Sequence, residues 1–77
     1  MRLTIQYALN DDIFPIEVDD EGTIEEIKVF ISAEKDLEVS QQVLMHNGRI
    51  LANDSAKIKA SGINNEDLIL VTTQSAI

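Results

Sequence analysis

Cysteine is absent from all 77 residues, which excludes a disulfide framework and a thiolate metal site alike. Histidine occurs once, at His46. A zinc site would need carboxylate help, and no Ser or Cys stands in a context that would pair with this imidazole for nucleophilic catalysis. No apolar run approaches the ~20 residues of a membrane-spanning helix. The opening Met-Arg-Leu-Thr-Ile-Gln alternates as a strand does and does not read as a secretory signal. Basic residues are scarce: 6 Lys and Arg face 14 Asp and Glu, for a formal net charge of −8. The acids up to Glu38 meet only Arg2, Lys28 and Lys35, whereas Asp54, Glu66 and Asp67 are balanced by Arg49, Lys57 and Lys59. The negative excess therefore lies in the first half. Phosphate backbones are bound by clustered Lys and Arg, so this balance argues against nucleic acid as a partner. An acidic surface reads first as a solubility device. The lack of cysteine and of a signal makes a reducing compartment, cytosol or nucleus, the expectation, and a length of 77 residues makes one small domain.

What is present is strong local punctuation. Leu3, Ile5 and Tyr7 alternate with polar residues as a half-buried strand. Asn10-Asp11-Asp12 is turn chemistry, and Phe14 to Val18 is a second strand that Pro15, lacking an N–H, confines to an edge or makes irregular. Thr23 and Glu26 are spaced as a capping box at a helix start, and Glu25 and Glu26 suit the positive end of the helix dipole. Ile24, Ile27 and Ile31 share a face, with Phe30 beside them. The helix is expected to stop near Lys35-Asp36, where Asp36 tolerates a left-handed cap. Leu37 and Val39 return to the core. Asn47-Gly48 is a tight-turn signal between the apolar runs Val43-Leu44-Met45 and Ile50-Leu51. Ile58 and Ile63 anchor a short helical turn that Gly62 stops, and Leu68 to Val71 form the last strand. The order is strand, strand, helix, strand, short strand, strand: an α+β roll with one helix across one face of a sheet.

One helix covers one side only. If it covers Leu68 and Leu70, then Ile69 and Val71 lie on the open face. Met45 reaches that face by alternation from a core Leu44. The expectation is an exposed apolar cluster of Met45, Ile69 and Val71 with Arg49 at its rim, a docking surface.

Glu17-Val18, Thr23-Ile24-Glu25-x-Ile27-Lys28, Ile31, Gln41-Gln42-x-Leu44, Gly48, Leu51 and Asp67-Leu68-x-Leu70-Val71 are collinear in a way that resembles the ubiquitin-like domains. The resemblance covers Met1 to about Thr72. The phrase His46-Asn47-Gly48-Arg49-Ile50-Leu51, with Asn53-Asp54-Ser55 and Ser61-Gly62-Ile63, is similar to fungal members of one subfamily, the N-terminal domains of the DNA-damage-inducible shuttle proteins. The resemblance implies a β-grasp roll with a mixed sheet, a domain over residues 1–73, and a frayed tail or linker start over 74–77. It also implies that the open face is the recognition surface, with Met45 and Val71 at matching positions, Leu9 in the first hairpin loop, Ile69 alongside, His46 at the edge and Arg49 where a rim Lys is usual. The partners it implies are ubiquitin or proteasome receptor subunits, engaged weakly by a monomeric domain with no cofactor and no metal. The parent chain would carry a retroviral-like aspartic protease domain. Thr72 to Ile77 lacks the paired glycines of a conjugated modifier, so the resemblance points to a domain of a longer chain.

Other classes fit less well. Asp54-Ser55 is the dipeptide on which acyl carriers hold a phosphopantetheine arm, but carriers are helix bundles and this chain is strand-rich. Asp54-Ser55-Ala56 faintly matches an aspartic-protease turn without the apolar strands that support one. Asp19 to Gly22 lacks the ligand spacing of a calcium loop. The expectation is a non-catalytic docking module. The alternative is a structural domain whose open face packs against its own parent chain.

Overall fold

The computed structural model describes residues 1–8 and 11–73. Strands β1 (Arg2–Tyr7) and β2 (Asp12–Glu17) form an antiparallel hairpin in which Leu3 opposes Ile16 and Ile5 opposes Phe14. Helix α1 (Ile24–Lys35) follows, then a 3-10 turn over Val39–Gln41, β3 (Gln42–His46), β4 (Arg49–Ile50), a second 3-10 turn over Lys59–Ser61, and β5 (Leu68–Thr73). The sheet order is β2-β1-β5-β3-β4, with β1 and β5 parallel at its centre. β2 is thus an edge strand, which is where Pro15 costs no ladder bond. No helix is long and apolar enough to cross a membrane among the described residues.

Helix and sheet meet through side chains of one parity. Ile24, Ile27 and Ile31 of α1 are fully buried together with Leu3, Ile5, Leu44, Ile69 and Val71 of the sheet. Ile58 and Ile63 close the core at the second 3-10 turn, which Gly62 ends with φ 81°. Phe30, expected on the packed face, is 39% exposed on the outer side of the helix beside Val29. Lys28 takes the core-facing place instead, at 8% exposure, with its ammonium 2.7 Å from Asp54 Oδ1. Asp54 is therefore the counter-ion of a sheltered lysine, which absorbs the feature that had suggested carrier or protease chemistry.

The helix start also departs from expectation. Thr23 is the N-cap, but its side chain makes no capping hydrogen bond. The loop after β4 supplies backbone acceptors: Ile24 N–H donates to Ala56 O and Glu25 N–H to Asp54 O, each at 3.0 Å, while Glu26 N–H donates to Thr23 O at 3.1 Å. Amides at a helix start need acceptors, and carbonyls from a distant loop serve as well as a hydroxyl. The helix ends as its sequence implies: Asp36 takes φ 53° and its N–H donates to Ser32 O at 2.9 Å. Lys35 bonds the Asp12 carboxylate and lies over the Phe14 ring, 5.2 Å from its centroid, tying the helix end to β2.

Candidate functional site

β3 and β4 are joined by a two-residue turn with positive φ at both Asn47 (52°) and Gly48 (80°), the geometry that matches strand twist in a tight hairpin. The turn sets Met45 opposite Ile50 and His46 opposite Arg49. Residues directly opposite on paired strands share a face. Across β3 and β5, Met45 opposes Leu70. Across β5 and β1, Leu70 opposes Gln6, and across β1 and β2, Gln6 opposes Ile13. These pairings define one unbroken row on the face away from the helix: Ile13, Gln6, Leu70, Met45, Ile50. It crosses all five strands, a width of about 19 Å at ~4.8 Å per strand. Ile13 is 64% and Ile50 62% exposed, and Met45 and Leu70 are half-buried. Leu68, 49% exposed, extends the apolar surface in the next row with Thr4 and Pro15.

This arrangement corrects the expected cluster. Met45 lies on the open face, but Ile69 and Val71 do not: both are fully buried, opposite Ile5 and Leu44 respectively. The open-face residues of β5 are Leu68 and Leu70. Four consecutive apolar residues carry no phase of their own. The parallel pairing that sets Ile69 beside the core residue Ile5 decides it. Arg49 is exposed but has the parity of His46, opposite to Met45. It lines a second groove with Ile24, Leu51 and Ala56, which meets the patch only through Ile50. Leu9 lies outside the described residues. Ile13 and Ile50 were missed, although Ile13 alternates with Phe14 and Ile50 follows the turn at the position facing Met45.

His46 is 7% exposed at the end of β3, its Nε2 2.9 Å from Asp67 Oδ2. The same oxygen accepts the Asn64 N–H at 2.9 Å. The Asn64 amide first, and the His46 ring second, hold the Asp67 carboxyl below its ordinary range. An ionised carboxylate only accepts, so Nε2 carries the proton. Met45, Leu68, Leu70, the Asn47-Gly48 turn and this His–Asp pair line an open hollow of about 310 Å³ beside the Leu70–Met45 part of the row.

A mixed five-stranded sheet in this order, one helix packed across it and an uncovered apolar face define a ubiquitin-like β-grasp domain. The chain belongs to the ubiquitin family, whose family model matches residues 3–75. A curated relative, Protein DNA-DAMAGE INDUCIBLE 1 of Arabidopsis thaliana, is 32% identical over 76 residues. The alignment covers 99% of this chain and 18% of the relative, so the chain spans under a fifth of that protein's length. Among solved structures, the ubiquitin-like domain of another Arabidopsis thaliana protein superposes with a TM-score of 0.88 at 24% identity, covering 99% of this chain and 79% of that one. ATBAG1, solved in complex with HSP70, gives 0.87 at 16% identity over 96% of this chain and 40% of its own. At these identities the two structures speak for the fold alone. As a ubiquitin-like domain the chain is a non-catalytic protein-interaction module.

Proposed function

We propose that this domain docks a shuttle-type protein onto ubiquitin or onto proteasome receptor subunits, through the face that carries Met45, Leu68 and Leu70. The observation that carries the reading is the uncovered apolar run Leu70, Met45 and Ile50, with Leu68 beside it and Ile13 beyond Gln6, because a sheet face with no partner layer gains nothing from apolar side chains unless another surface covers them. The relation to the DNA-damage-inducible protein supports a shuttle role; the proposal adds a parent chain that carries an aspartic protease domain and works in the cytoplasm and nucleus. Burying about three such side chains contributes roughly 1.5–3 kcal/mol each before the costs of association. The expected affinity is micromolar to sub-millimolar, weak enough for cargo to be released.

The test is an NMR titration of the isotope-labelled domain with ubiquitin and, separately, with proteasome receptor subunits. Amides of Met45, Leu68 and Leu70 are expected to shift with at least one of them. Silence of these amides toward both partners overturns the reading.

A further inference from the structure

The hollow beside Met45 and Leu70 has walls of two kinds. Met45, Leu68 and Leu70 give it an apolar side, and Asp67, with 30% of its side chain exposed, lines it as well. Asp67 Oδ2 is occupied by the Asn64 amide and the His46 ring, while Oδ1 has no donor among the described residues. Nearby cations are engaged or turned away. Arg2 Nε lies 3.6 Å from Glu66 Oε1, and Arg49 lines the groove on the other side of the hairpin. Gly48, which also lines the hollow, borders open space, since a Cβ placed there would have nothing within 4 Å.

We propose that this hollow receives a Lys or Arg side chain of the docked protein, its methylene stem against Met45, Leu68 and Leu70 and its cationic head on Asp67 Oδ1. The inference deepens the docking function argued above by naming what the partner must present there. A purely apolar side chain would cover the free carboxylate oxygen and strip its water without replacing it. An acidic side chain would meet like charge. A long basic side chain satisfies both walls, because its stem is apolar and its head donates a charge-assisted hydrogen bond. The chain's net charge of −8 favours approach of the same kind of partner.

The pocket can be tested without the full partner. The labelled domain is titrated at neutral pH with n-pentylammonium and n-propylguanidinium, as stand-ins for the two side chains, and with n-pentanol as the uncharged counterpart. Both cations are expected to shift the amides of Asn47, Gly48, Asp67 and Leu68 with a Kd on the order of 10 mM, as fragments of this size do. The alcohol is expected to bind about threefold more weakly, the difference one contact to a partly exposed carboxylate can make. In Asp67→Asn, checked for an unchanged fold by its amide spectrum, cation and alcohol should become equal. Equal binding of cation and alcohol to the native chain, shifts scattered over the acids of α1, or no shifts at all overturns the proposal. A parallel titration with ubiquitin and the proteasome receptor subunits keeps the two ideas apart. Cation capture without response to either protein sinks the docking function alone, and docking at Met45 without cation capture sinks only the anchor.

Discussion

Met45 and Ile69 lie near each other in the sheet on opposite faces, and their substitution should separate binding from stability. Met45→Ala and Leu70→Ala remove half-buried methylenes from a face with no layer over it. Each is expected to cost the fold about 1 kcal/mol or less while weakening partner binding several-fold. Ile69→Ala opens a void in a fully buried position, and chemical denaturation should show a loss of about 2–4 kcal/mol. Comparable stability losses for Met45→Ala and Ile69→Ala would contradict the assigned faces. Asp67 adds a pH dependence. Its folded carboxyl titrates below the ordinary value of 3.8, so its stabilising contribution is complete above that value and fades as pH falls through the folded one. Urea midpoints measured between pH 5 and pH 2 should fall less steeply in Asp67→Asn than in the native chain.

Helix α1 draws its first hydrogen bonds from the loop after β4. The Thr23 hydroxyl makes no cap bond, so Thr23→Ala should change stability by less than about 0.5 kcal/mol, below the ~1 kcal/mol of a working cap. Asp54→Ala should do more harm, because it leaves the Lys28 ammonium sheltered and unpaired. Asp54 is 40% exposed, so water can reach the pair, and about 1–2 kcal/mol is expected in place of the larger cost of breaking a fully buried bridge. A thermal melt of each variant checks its own contact: Thr23→Ala the hydroxyl at the helix start, and Asp54→Ala the pair with Lys28, since the Asp54 backbone carbonyl that accepts the Glu25 N–H stays in place. The helix boundaries were nonetheless legible from Thr23 and Asp36. Those residue types suit chain ends whichever acceptor is finally used, whereas the acceptor itself comes from a loop some thirty residues away, and no local pattern announces it.

At the scale of the molecule, the acidic charge should act on association more than on folding. Raising salt from about 0.1 M to 1 M shortens the screening length from ~10 Å to ~3 Å. Binding of a basic partner should weaken across that range, chiefly through a slower on-rate. Stopped-flow association at several ionic strengths checks this, and a salt-independent rate would make the acidity a matter of solubility alone. The order of elements, the edge position of Pro15, the Asn47-Gly48 hairpin and the membership of Ile24, Ile27, Ile31, Leu3, Ile5 and Leu44 in the core could all be read along the chain. Each rests on a periodicity or a backbone preference expressed within a few residues. The open face could be inferred, since one helix shields one side of a sheet, but its composition could not. Leu68-Ile69-Leu70-Val71 is apolar at every position, and such a run fits the core in either phase. The phase was decided when β5 paired in parallel with β1 and antiparallel with β3, because register between strands distant in sequence is a property of packing. That choice buried Ile69 and Val71, turned Leu68 and Leu70 to the open face, and brought Asp67 to His46.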